Sequence, residues 1–110
     1  MFAAALLAIS AMVTPPPEAA VAVDAALADA ARRFGVQAEL AAVEAVTWPD
    51  GSLGCPQKGV NYPQALVDGW RITLRGGERD FDYHASRANF VVYCAPGRSR
   101  KPLPPSAADR

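Results

Sequence analysis

His84 is the only histidine in the chain, and it stands in the run Asp80-Phe81-Asp82-Tyr83-His84-Ala85-Ser86. A histidine near a carboxylate and a hydroxyl is the raw material of nucleophilic catalysis, in which the imidazole takes the hydroxyl proton and the carboxylate orients the ring. The spacing argues against that use, because residues two apart on a strand point the same way side by side and Ser86 cannot face the ring. The ordinary expectation is a half-exposed histidine on the wet side of a sheet, paired with Arg71 or an aspartate. Zinc is the second chemistry these residues allow: Cys55, Cys94 and His84 are ligand types, with Asp50 as a fourth group. Their spacing contains no compact ligand pair, and the sequence has no CxxC, no glycine-rich phosphate cradle and no dinucleotide fingerprint. A non-catalytic protein without cofactor or metal is expected. An enzyme or zinc site centred on His84 stands as an alternative.

Cys55 lies in the run Trp48-Pro49-Asp50-Gly51-Ser52-Leu53-Gly54-Cys55-Pro56. Proline removes an amide donor and fixes φ, and glycine serves bends that other residues resist, so this is a shaped loop and not a helix or strand. One reading has the loop, residues 49–64, present Asp50, Leu53, Lys58, Val60, Tyr62 and Gln64 to a partner. The other folds Trp48, Leu53 and Tyr62 inward as a cap on the open end of a sheet, with Trp48, next to a strand, assigned to the core. Lys58, three residues after Cys55, also suits the specificity pocket of a trypsin-like protease. The following Gly59 makes the segment more flexible than an inhibitory loop should be.

The chain has 110 residues, one domain at most and near the size where a hydrophobic core alone is marginal. Its 11 basic and 11 acidic side chains cancel to a net charge of +0, which gives no pull toward nucleic acid or an anionic membrane. The apolar opening MFAAALLAISAMV, three prolines and the small-x-small pattern Ala20-Val21-Ala22 have the layout of a signal peptide, although no Lys or Arg precedes the apolar run. That run is too short for a stable membrane span. A signal peptide of residues 1–22, a domain of residues 23–95 and a Pro-rich tail of residues 96–110, disordered or loosely extended, are expected in a secreted or periplasmic protein. Two cysteines in such a chain most simply form a disulfide. Cys55 and Cys94 are 39 positions apart, and closing that loop stabilises by about 4 kcal/mol in the chain-entropy model.

The elements follow from periodicity. Val23, Ala26, Leu27, Ala30, Ala31 and Phe34 recur at helical spacing, with Asp24 as the expected cap, Arg32 and Arg33 in the last turn and Gly35 as the stop. In AELAAVEAVTW, Val43, Val46 and Thr47 predict a strand over the second half. WRITLRGGERDFDYH predicts a hairpin turning on Gly77 and Glu78, with Leu74 opposite Phe81 and Ile72 opposite Tyr83 on an apolar face. The same register sets Arg75 opposite Asp80, Thr73 opposite Asp82 and Arg71 opposite His84. NFVVYC predicts a last strand. The sum is an α+β domain, one N-terminal helix packed on a small antiparallel sheet of about four strands with one disulfide, similar in element order to the cystatin-like arrangement. Element order alone implies no activity.

Trp48-Pro49-Asp50, Leu53-Gly54-Cys55-Pro56, Tyr62, Gln64-Ala65-Leu66-Val67, Gly69-Trp70, Tyr83-His84 and Cys94 together resemble a family of small exported bacterial domains of uncharacterised function. The match runs from about Val43 to Cys94, with Phe81 where the pattern has Tyr. The resemblance implies export and the disulfide and leaves the activity open. The expected role is a small exported, monomeric, non-catalytic module binding an unknown protein, peptide or envelope component through the 49–64 loop. The charged sheet face of Arg71, Arg75, Asp80, Asp82 and His84 is a second candidate surface, and peptidase inhibition through the same loop is the alternative use.

Overall fold

The computed structural model describes residues 13–104. At its centre is the expected hairpin of β2 (Val67–Gly76) and β3 (Arg79–Ser86). Gly77 takes φ 64 at the first turn position, where a side chain would be strained, and Glu78 does not share the positive sign, as a type II′ turn requires. The pairs are those the alternation predicts, from Leu74 opposite Phe81 to Arg71 opposite His84. β1 (Glu39–Trp48) pairs antiparallel with β2 and β4 (Val91–Tyr93) with β3, so the sheet is a meander ordered β1-β2-β3-β4. β1 is longer than the valines suggested. Its alanine-rich first half has little strand propensity of its own and is extended by pairing with β2, across an irregularity between Leu40 and Ala42.

Helix α1 (Ala20–Phe34) follows a short 3₁₀ turn, Pro17–Ala19, and packs on one face of the sheet. It starts earlier than expected. Asp24 is exposed inside the helix and caps nothing; the cap position is Ala19, with no side-chain hydrogen bond. Ala19 and Ala22 are buried in the core, so the packed body reaches back past the expected boundary at residue 23. The alanines at 22, 26 and 30 let the helix approach Trp70, Ile72, Leu74, Phe81, Tyr83 and Ala85 closely. Fully burying side chains such as Ile72, Leu74 and Phe81 contributes roughly 1.5–3 kcal/mol each. A polar contact registers the helix on the sheet: the Tyr83 hydroxyl donates to Asp29 at 2.7 Å, and Asp29 also accepts from Arg33 at 3.0 Å.

The other face departs from expectation. Alternation gives it Arg71, Thr73, Asp82 and His84, yet it is not a wet surface: Trp48, Leu53, Cys55 and Cys94 are buried on the same side as His84. Two segments cover it. The loop after β1 folds inward, and the segment after Cys94 returns over it, with the Arg100 amide donating to Gly54 O at 2.7 Å and the Leu103 amide to Thr47 O at 2.9 Å. The tail expected to be disordered or loosely extended is thus docked as far as Leu103, because these backbone bonds and the half-buried Leu103 give a polar segment partners that composition does not reveal. Residues 105–110 lie outside the described residues, as do residues 1–12, which carry most of the predicted signal peptide. Among the described residues no helix is long and apolar enough to cross a membrane.

Candidate functional site

β3 brings His84 to the middle of this second face, with Asp82 two positions before it on the same side. The imidazole is fully buried beneath the Trp48 indole, which stacks on it with centroids 4.4 Å apart and planes 21° apart. Trp48 is fixed in turn by Nε1 donating to Ala85 O at 3.1 Å. His84 Nδ1 lies 2.6 Å from Leu53 O, and Nε2 lies 3.1 Å from Asp82 Oδ2. The Ser99 hydroxyl, carried by the docked tail, donates to Asp82 Oδ2 at 2.7 Å and stands 3.3 Å from Nε2. Burial pushes the Asp82 carboxyl up, but hydrogen bonds from His84 and Ser99, with the charges of His84 and Arg71, outweigh it and hold it at about 2. A carbonyl therefore faces one ring nitrogen and an ionised carboxylate the other. Both accept, so a ring N–H finds a partner at either nitrogen.

That arrangement differs from the half-exposed histidine expected on a wet face. The pairing with an aspartate holds; the exposure does not, because the loop and tail were not foreseen as a cover. It also differs from a catalytic relay, where a carboxylate orients one ring nitrogen and the nucleophile faces the other. Here Asp82 and Ser99 share Nε2, while a backbone carbonyl takes Nδ1. Ser86 accepts from the Phe90 amide at 3.2 Å in the turn before β4. Of the charged face expected as a second surface, His84 is buried and Arg71 and Asp82 are half-buried, leaving the exposed Arg75–Asp80 pair at 2.8 Å.

Cys55 and Cys94 are bonded, with Cα atoms 5.6 Å apart. The bridge pins the loop to the residue after β4, whose amide donates to Asp82 O at 2.8 Å. Asp50 does not join the cysteines and histidine; its Oδ1 accepts from the Ser52 amide at 2.8 Å and the Ser52 hydroxyl at 2.6 Å. The ligand atoms of Asp82, His84 and Cys94 do lie within 4.8 Å of one another.

The loop divides at the disulfide. Ser52, Leu53, Gly54 and Cys55 are buried, so Leu53, expected at a binding surface, instead caps His84 through its carbonyl. Beyond Pro56 the chain projects: Lys58, Val60 and Gln64 are exposed and Tyr62 is half-buried. The projecting part is internally tied, by the Val60 amide to Gln57 O at 3.2 Å and the Gln57 amide to the Tyr62 hydroxyl at 3.0 Å. Gly51 N–H closes its base on Pro63 O at 2.9 Å. Ser99 was missed because a Pro-rich, low-aromatic tail carries no periodic signal. The one hint was Leu103, a large apolar residue between prolines.

A groove of about 330 Å³ is lined by Glu44 and Thr47 of β1, Asp68 of β2, Arg87 and Leu103, among others, and none of the predicted loop residues lines it.

Fold and site together define a disulfide-stapled α+β domain: one helix on a four-stranded antiparallel meander, with a loop and tail closing a buried histidine on the far face. The family model for a domain of unknown function, DUF8738, matches residues 23–94, and the chain belongs to that family. No curated protein and no solved structure matches it.

Proposed function

We propose that the protein is an exported, non-catalytic binding module whose contact surface is the projecting part of the loop, residues 57–66. The observation that supports this most is the division of the loop. One half is buried, bridged and hydrogen-bonded to His84, while the other exposes Val60 at 47% and Leu66 at 38% on a backbone closed by its own hydrogen bonds. A preorganised segment with exposed apolar side chains loses little entropy when a partner covers it. The partner is a protein, a peptide or a component of the cell envelope. Export accords with the apolar N-terminal run and the disulfide, a bond that persists in oxidising compartments.

Peptidase inhibition is the weaker use of the same loop. Lys58 and Gly59 form the centre of a hydrogen-bonded turn with Gly59 at φ 83, and glycine leaves the backbone beside Lys58 less restrained than an inhibitory loop needs. Catalysis at His84 is weaker still, since the ring is fully buried and Nδ1 is occupied by a carbonyl.

The test is partner capture from an envelope extract by photo-crosslinking at position 64, with Lys58→Glu/Val60→Asp beside the native sequence. The expected result is a discrete adduct that the double variant loses while its fold, read by near-UV circular dichroism, is unchanged. An adduct that survives the double variant, or none at all, would overturn the assignment of this surface.

A further inference from the structure

We propose that opening the Cys55–Cys94 bond converts the buried polar core into a zinc site with Cys55, Cys94, His84 and Asp82 as its four ligands. The second face already assembles three of them, with ligand atoms of Asp82, His84 and Cys94 within 4.8 Å of one another. The bridge brings Cys55 to the fourth. Zinc bonds of about 2.0–2.1 Å to nitrogen and oxygen at a tetrahedral angle place those two atoms about 3.3 Å apart. His84 Nε2 and Asp82 Oδ2 are 3.1 Å apart, so they close on a zinc ion with little movement.

The surroundings are those a zinc ligand needs. A ligating histidine ordinarily donates its other ring N–H to a carbonyl or carboxylate, which fixes the ring and directs the free nitrogen at the metal. His84 Nδ1 makes that contact to Leu53 O at 2.6 Å. The outer oxygen of Asp82 is held by Arg71 Nε at 3.5 Å. Two thiolates and a carboxylate around a divalent ion carry one net negative charge. Arg71 stands on one side of it, and on the other Arg98, whose NH2 group is 3.7 Å from Cys55 Sγ and whose buried Nε has no hydrogen-bond partner. Two thiolates with an imidazole select zinc over the hard cations calcium and magnesium.

The chemistry balances as a thiol–disulfide exchange followed by metal binding. A dithiol reductant, such as a CxxC oxidoreductase, attacks the bridge through a mixed disulfide. It leaves as its own disulfide, having supplied two electrons and two protons to give two cysteine thiols. Zinc then displaces the two thiol protons, and His84 coordinates through Nε2 as the neutral imidazole. In the oxidised protein neither sulfur is a thiolate, and the site does not form. The metal takes over the tie that the disulfide provided.

The test uses the full chain, oxidised or reduced with a phosphine that does not itself supply thiols, and exposed to zinc or cobalt(II). Expected are one zinc per reduced chain in native mass spectrometry, none per oxidised chain, and the intense visible bands of a four-coordinate thiolate site with cobalt. Asp82→Asn and His84→Gln should each weaken zinc at least tenfold, and Ser99→Ala, which removes a hydroxyl outside the ligand set, should not. His84→Gln risks misfolding, so Asp82→Asn, checked for its hairpin by NMR, carries the comparison. Absence of stoichiometric zinc on the reduced native chain would overturn the proposal. So would unaltered zinc affinity in Asp82→Asn, which would remove Asp82 from the ligand set.

Discussion

His84 is held by hydrogen bonds at both ring nitrogens and by an indole on its face, and each contact comes from a different segment: Leu53, Asp82, Ser99 and Trp48. Removing the ring strips the buried Leu53 carbonyl of its partner, takes from Asp82 the imidazole that Ser99 and Arg71 only partly replace, and leaves the Trp48 indole without its stacking partner. His84→Ala should therefore cost about 3–5 kcal/mol, read as a fall in the urea midpoint. Asp82 sets a pH dependence. Its folded pKa, about 2, lies below the ordinary 3.8, so its contribution is fully present above about pH 4 and is lost as pH falls toward 2. The shift corresponds to about 2 kcal/mol. Asp29, lowered chiefly by its hydrogen bond from Arg33, adds in the same direction. Urea titrations from about pH 6 down to pH 2 should show stability falling through this window, and Asp82→Asn should remove part of the slope.

The elements differ in how plainly the sequence announces them. The β2–β3 hairpin was legible because two patterns, apolar on one face and charge-complementary on the other, agree on a single register that a one-residue slip would destroy. Gly77→Ala should cost about 1–2 kcal/mol by forcing a side chain into left-handed backbone. Gly69 answers to contact and not to φ. A Cβ there would meet the carbonyl of Ala85, backbone that cannot swing aside, so Gly69→Ala should disrupt β2–β3 pairing more than Gly77→Ala does. Comparing the two midpoints checks the ordering. The start of α1 and the first half of β1 were hidden by alanine, which favours neither face nor period strongly enough to mark a boundary. The burial of His84 was hidden for another reason: its cover is loop and tail, held by backbone hydrogen bonds that no side-chain pattern encodes. Trp48 was assigned correctly to a core; the core it enters lies on the face opposite the helix.

At the scale of the molecule, a single sheet carries two unlike layers. The helix side is an ordinary apolar core, and the loop side is a small polar one closed by Cys55–Cys94 and the docked tail. Breaking the bridge in Cys55→Ser/Cys94→Ser without metal should lower stability by about 4 kcal/mol. The loss should reach the projecting loop before the hairpin, since the bridge ties the former. The central claim is that loop, tail and His84 form one layer, and amide hydrogen exchange by NMR on the oxidised full chain tests it most directly. The Arg100 and Leu103 amides, bonded to Gly54 O and Thr47 O, should be protected, and His84→Ala should release them together with Cys55. Arg100 and Leu103 exchanging at the rate of free chain in the native sequence would contradict the account.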